Sequence, residues 1–265
     1  MPIRKSKAEV EQRRQAVLRH VSKGGEVRID ELAARLGVSL MTMHRDLDDL
    51  HERKLLHKRR AVALSLATVD IESSLQFREN MHRGAKTAIG EELCNHVSPG
   101  STVLLDCGST LFPLARQLGH VEDVHVITNS LRVTYLLSES GRQTTLLGDR
   151  FYPEFESCAG PEIVRQLDRF HIDVAFLTAT CVQEGRLSHP MREYAENKEA
   201  FVRVAGRSVL AVDHSKFGLS ATYAYGDVRS YDVLVTDDAA PPGETAMAQA
   251  LGVQVVAVAQ TWDEG

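Results

Sequence analysis

Several short clusters in this 265-residue chain carry residue types able to hold an anion or a sugar hydroxyl. Asp106-Cys107-Gly108-Ser109-Thr110 combines a carboxylate, two hydroxyls and a glycine that lets backbone approach a ligand closely. Thr128-Asn129-Ser130 adds two more hydroxyls and an amide, and Asp213-His214-Ser215-Lys216 sets beside a hydroxyl a lysine that can meet a phosphate as a point charge. Glu193, Glu196 and Lys198 stand near the start of a helical segment, where another anion or a sugar hydroxyl can be met. Near the N-terminus the chemistry differs. Ser39, Met41, Thr42, His44 and Arg45 fall in the first turns of one helix, followed by Lys58-Arg59-Arg60. Arginine is the commonest reader of guanine edges, and lysine and arginine neutralise phosphates.

The elements that position these groups are legible from periodicity. Thr102 to Leu105 is an apolar run of the buried-strand type after a Pro99-Gly100 turn. From Leu111, the residues Leu111, Leu114, Ala115 and Leu118 recur at helical spacing up to Gly119, with Ser109 or Thr110 as cap and Pro113 in the tolerant first turn. A strand entering a helix through such a loop aims backbone N–H groups and the helix dipole at one spot, which suits a phosphate; an ordinary well-capped turn is the alternative. Strands and helices then alternate to the C-terminus, with strands predicted at 124–128, 144–147, 174–177, 208–212, 233–236 and 253–258. That alternation predicts a mostly parallel sheet with helices on both faces, and ligands bind outside the carboxyl ends of such strands.

In the N-terminal part, Val10, Val17, Leu18 and Val21 lie at helical spacing before Gly24-Gly25. Asp30 is the expected cap of a second helix ending at Gly37, and Ser39 the expected cap of a third. Leu40, Met43, Leu47 and Leu50 form the predicted buried stripe of the third helix, leaving Met41, Thr42 and Arg45 on the opposite face and His44 on the flank. Two helices joined by Gly37-Val38-Ser39 and followed by a basic hairpin predict a winged helix-turn-helix. The alternative is a solvated three-helix bundle.

Charge agrees with that division. Residues 1–60 hold 15 Lys+Arg against 9 Asp+Glu, while the remainder holds 16 against 27. A basic head on an acidic body fits a chain that meets nucleic acid at one end. No apolar run is long enough to span a membrane and no signal peptide is visible, so a cytoplasmic protein is expected. The four cysteines, Cys94, Cys107, Cys158 and Cys181, have no CxxC spacing and read as reduced thiols; no metal site and no cofactor are expected. Cys107 reads first as a small residue in a tight turn and second as a thiol activated by a helix N-terminus. His214 beside Asp213 has the types of a catalytic pair, but neighbours in an extended segment point apart.

Val27-Arg28-Ile29-Asp30-Glu31-Leu32-Ala33, Leu36-Gly37-Val38-Ser39 and Thr42-Met43-His44-Arg45-Asp46-Leu47 closely resemble the head of the DeoR family of bacterial regulators. Asp106-x-Gly108-Ser109-Thr110, Thr128-Asn129-Ser130, Gly160-Pro161, Asp173-x-Ala175-Phe176-Leu177, Glu196-x-Lys198 and Asp213-x-Ser215-Lys216-Phe217-Gly218 follow in the order of that family's sensor domain. Thr178-Ala179-Thr180-Cys181 stands where the family carries glycine-alanine-aspartate-glycine. The resemblance implies an α/β sensor similar in fold to ribose phosphate isomerases, binding a phosphorylated sugar or related metabolite. The domains expected are a winged helix-turn-helix over 1–66, a linker over 67–74 and the sensor over 75–265. The function expected is a DNA-binding repressor of carbohydrate genes, a homo-oligomer (dimer or tetramer) on a double-stranded operator. The alternatives are a sugar phosphate isomerase with a fused DNA-binding head, using Glu193, Glu196 or Asp213 as base, and a constitutive DNA-binding protein with a vestigial pocket.

Overall fold

The computed structural model describes residues 10, 13–14, 16–18, 20–21, 26–52, 56–59, 62–64 and 75–260. The Gly24-Gly25 turn, Arg60 and the linker expected at 67–74 lie outside the described residues. The chain divides into two compact units, Met1–Phe77 and Arg78–Gly265.

In the first unit, helical residues between 10 and 21 bury Val17, Leu18 and Val21. There follow β1 (Glu26–Arg28), α1 (Ile29–Arg35), α2 (Leu40–Glu52), β2 (His57–Arg59) and β3 (Val62–Leu64). The three strands pair antiparallel in the order β1-β3-β2, the wing that the basic hairpin predicts. Gly37 turns the chain between the helices at φ +62, a conformation that favours glycine. Ser39 Oγ accepts the Thr42 N–H at 3.2 Å and so caps α2 as the spacing predicts.

Two local expectations are corrected. Asp30 is not a cap: α1 starts at the buried Ile29, and Asp30 sits in the first turn, paired with Arg28 at 2.7 Å. A carboxylate is favoured there by the helix dipole. Leu40 does not join the buried stripe. It is 52% exposed, because the first turn of α2 stands clear of the core that Met43, Leu47 and Leu50 enter. Within the same helix Asp46 is buried and accepts Arg13 Nε at 2.6 Å and Arg14 Nε at 3.2 Å, tying α2 to the preceding helical residues.

The helix α3 (Leu75–Asn80) spans the boundary between the units. The second unit continues with α4 (Arg83–Cys94), β4 (Thr102–Leu105), α5 (Phe112–Leu118), β5 (His125–Thr128), α6 (Leu131–Ser138), β6 (Thr144–Leu146), β7 (Arg150–Tyr152) and β8 (Ser157–Ala159). It ends with α7 (Pro161–Leu167), β9 (Ile172–Leu177), β10 (Cys181–Gln183), β11 (Arg186–His189), α8 (Arg192–Val204), β12 (Ala205–Ala211), β13 (Tyr223–Asp227), β14 (Val233–Asp237), α9 (Pro242–Ala250) and β15 (Gln254–Val258). Seven strands form one parallel sheet in the order β15-β14-β12-β9-β4-β5-β6. Its central strands are continuous apolar runs because helices cover both faces; Val103, Leu104, Leu105, Phe176, Leu177, Val209 and Leu210 have no exposed surface. Strands β4 to β6 spread one way and β9 to β15 the other, so the winding reverses between β4 and β9. In open sheets of this kind ligands bind outside the strands' carboxyl ends at such a reversal point.

The mostly parallel α/β class matches expectation, but the periodicity misses a second layer. Strands β10, β11 and β13 form a separate antiparallel sheet, and β7–β8 a hairpin. The β10–β11 turn is Glu184-Gly185, both at positive φ, the two-residue geometry that fits strand twist.

Candidate functional site

At the winding reversal, Asp106 leaves β4 and Thr178 leaves β9, and the two meet. Asp106 Oδ2 accepts the Thr178 N–H at 3.1 Å and the Thr178 hydroxyl at 2.9 Å. Lys198, reaching in from α8, also bonds Asp106 Oδ2 and donates to the Thr178 carbonyl at 2.9 Å. Burial works to raise the Asp106 carboxyl, but the Lys198 charge and these hydrogen bonds hold it below its ordinary value. Lys198 is correspondingly raised by Asp106 against its own burial. Both are charged and engaged, so they form an internal tie between the ends of β4 and β9 and helix α8. Glu196, two residues before Lys198, is exposed and paired with Arg192 at 2.7 Å.

Gly108 owes its place to Thr178: a Cβ there would lie 2.0 Å from Thr178 Oγ1. The loop then makes a 3₁₀ turn, Ser109–Leu111, before the seven-residue α5. Neither Ser109 nor Thr110 caps that helix through its side chain, correcting the expected cap; Leu111 precedes α5 and the 3₁₀ turn replaces a capped start. Cys107 is buried and its thiol is pushed up to about 12 by burial, so it is a packing residue and not a nucleophile. Thr128, Asn129 and Ser130 are fully buried. Thr128 Oγ1 accepts the Ser130 N–H at 3.0 Å, and Ser130 Oγ caps α6 by accepting the Val133 N–H at 3.2 Å. Asn129 Nδ2 donates to the Cys158 carbonyl at 2.8 Å, while its Oδ1 is buried with no partner among the described residues.

The residues that sequence reasoning missed are cations. Lys86, on α4, is buried and its Nζ donates to Ser109 Oγ at 3.1 Å. Burial pulls this lysine down to about 7 despite the pull of Asp213, and Lys216 and Arg78 add to the fall. Arg78 lies 5.3 Å over the Phe155 ring, with Nε and Nη2 buried and without an acceptor among the described residues. Asp213 is fully buried at the end of β12. Burial works to raise it, yet Lys216, Lys86 and the Ser215 hydroxyl hold it at about 2. Around the Asp106–Thr110 loop, therefore, lie more positive groups than the carboxylates satisfy. A lysine in an amphipathic helix ordinarily reads as solvent-facing, so nothing in the sequence marked Lys86.

In the head, Met41 (67% exposed) and Arg45 share the exposed face of α2, and His44 is half-buried. Thr42 Oγ1 lies 2.9 Å from Ser39 Oγ. Lys58 pairs with Asp48 of α2, Arg59 stands on β2, and Arg60 lies outside the described residues.

A winged helix-turn-helix joined to an α/β unit with buried lysines beside a strand-end loop is the architecture of a DNA-binding regulator with a sensing domain. Residues 13–68 match the DeoR-like helix-turn-helix domain, and residues 81–238 match the DeoR C terminal sensor domain. The chain belongs to the DeoR family of transcriptional regulators. It is 32% identical over 231 residues (87% of this chain, 91% of the relative) to the uncharacterized transcriptional regulator YgbI of Escherichia coli. It is 27% identical over 228 residues (86% and 88%) to the transcriptional repressor GlcR of Bacillus subtilis. Among solved structures, ribose 5-phosphate isomerase A of Neisseria gonorrhoeae aligns at 14% identity with a TM-score of 0.39, over 54% of this chain and 56% of that one. The chain is a regulator and not an enzyme, which sets aside the isomerase alternative. Among the described residues no helix is long and apolar enough to cross a membrane.

Proposed function

We propose that this regulator is a cytoplasmic repressor whose grip on a double-stranded operator is loosened by a phosphorylated sugar or a related metabolite. The head over 1–66, joined by a linker over 67–74, reads the operator through the exposed face of α2, with Met41, Thr42 and Arg45 toward base edges and Ser39, His44, Lys58, Arg59 and Arg60 around the phosphates. The sensor over 75–265 holds the phosphate at Ser109 and Thr110, and its oligomer, a dimer or tetramer, presents two heads to a two-fold operator.

The observation that carries this reading is Lys86, a buried lysine at about 7 beside Ser109. A buried cation short of counter-charge is costly, and an incoming phosphate supplies that charge. Arg78, with two guanidinium nitrogens that meet no acceptor among the described residues, supports the same conclusion. Asp106 and Lys198 order the loop, while Asn129 Oδ1 remains to accept from a sugar hydroxyl.

The test is fluorescence anisotropy of the full-length protein on a DNA fragment it binds, with triose, pentose and hexose phosphates and inorganic phosphate added in turn. One sugar phosphate should change operator affinity about 5- to 150-fold, the range of ordinary allosteric coupling. Lys86→Met should bind DNA normally and lose that response. A wild-type protein indifferent to every phosphate, or a Lys86→Met protein that responds fully, refutes the reading.

A further inference from the structure

His82, Asp213 and His214 each offer one ligand atom, and these atoms lie within 4.8 Å of one another. We propose that they form a site for a divalent transition-metal ion of the zinc type.

Three observations bear on it independently. First, His82 precedes α4 in the left-handed conformation, φ 53 and ψ 41, which few non-glycine residues adopt and which is costly where the surroundings do not impose it. That conformation brings its ring edge-on to the His214 ring, with centroids 4.6 Å apart. Second, Asp213 has no exposed surface, and Oδ1 accepts from the Ser215 N–H and hydroxyl, while Oδ2 is buried and has no hydrogen-bond partner among the described residues. Third, His214 Nδ1 lies 2.7 Å from Asp237 Oδ2, and Asp237 is itself held by the His214 N–H at 2.6 Å and by Gln260 Nε2 at 2.7 Å. A carboxylate on Nδ1 fixes the proton there and leaves the lone pair on Nε2, the arrangement behind most metal-ligating histidines.

The donor set selects the ion. Two imidazoles and one carboxylate suit zinc, cobalt or nickel, whereas calcium and magnesium prefer all-oxygen shells. Asp213 and the outer Asp237 balance a dication, although Lys86 and Lys216 also act on Asp213 and compete for it. Three protein ligands leave a position for water or for an oxygen of a bound metabolite. A metal here would pin the start of α4 to the ends of β12 and β14.

The test needs neither DNA nor metabolite, so its outcome stands apart from the repressor reading. Full-length protein freed of metal by a chelator is titrated with Zn²⁺ by calorimetry and with Co²⁺ by visible absorption. We expect one equivalent bound, a cobalt spectrum without thiolate charge transfer, a higher melting temperature with Zn²⁺, and no competition from Mg²⁺ or Ca²⁺. His82→Asn, which tolerates the left-handed backbone, should weaken binding at least tenfold, and Asp237→Asn, which keeps all three ligands, about 10- to 100-fold. Melting of each variant in chelator checks its fold. Absence of a stoichiometric site in the wild type, a thiolate spectrum, or wild-type affinity in His82→Asn overturns the proposal.

Discussion

Replacing Lys86 by Met should stabilise the protein while abolishing its response to a metabolite. A lysine held at about 7 in the fold, and at 10.5 in the unfolded chain, costs the fold about 5 kcal/mol when protonated, at 1.36 kcal/mol per pH unit. The sign follows from where the proton binds better. The unfolded chain takes it first, so the penalty is fully present below pH 7 and fades as pH rises toward 10.5. Methionine has a similar shape without the charge, but it gives up the hydrogen bonds to Ser109 Oγ and the Arg78 carbonyl, together worth about 2 kcal/mol. A net gain of about 3 kcal/mol at pH 6 remains. For a unit of this size that raises the melting temperature by about 6–12 °C. The assay is circular-dichroism melting of wild type and variant at pH 6, 7.5 and 9, the gap narrowing toward pH 9. A variant that melts lower than wild type at pH 6, or a gap that widens with pH, refutes the claim that Lys86 is a strained buried cation.

Three further outcomes are expected. Lys198→Met should destabilise by about 3–5 kcal/mol because it strands the buried Asp106 carboxylate, and Asp106→Asn added to it should recover most of the loss in urea unfolding; a double variant that loses the sum of both would deny the pairing. Gly108→Ala should cost about 1–3 kcal/mol by forcing a methyl into Thr178, and a Gly108→Ala/Thr178→Gly protein should lose less than the sum of its two single variants, again read by melting. Arg45→Ala should weaken operator binding by about 1–3 kcal/mol without moving the melting temperature, since Arg45 is exposed; unchanged affinity would remove α2 from the groove.

What sequence could and could not reveal follows from the range of each interaction. The seven parallel strands and their helices are repeated periodic segments, so their order and the loops at their carboxyl ends are legible within one element at a time. The head is legible for the same reason: the Ser39 cap contacts Thr42 three residues on, and the stripe of Met43, Leu47 and Leu50 closes within one helix. Strands β10, β11 and β13 are three to five residues long, too short for alternation to speak, though Glu184-Gly185 is a turn signal that was available. The contacts of the candidate site residues were not legible, because distant partners decide them. Asp106 has the type of a sugar-hydroxyl ligand but meets Lys198, 92 residues away, and becomes a structural tie. Ser130 and Ser109 have the same chemistry, yet one caps α6 and the other meets Lys86. Lys86 shows the limit best. Its neighbours Ala85, Ala88 and Ile89 mark a buried face, and a lysine among them reads as a charge that escapes to solvent. Only the fold shows that it cannot, since Ser109 and Arg78 close over its Nζ. That confinement is what turns an ordinary helix residue into the strongest pointer to an anion in the molecule.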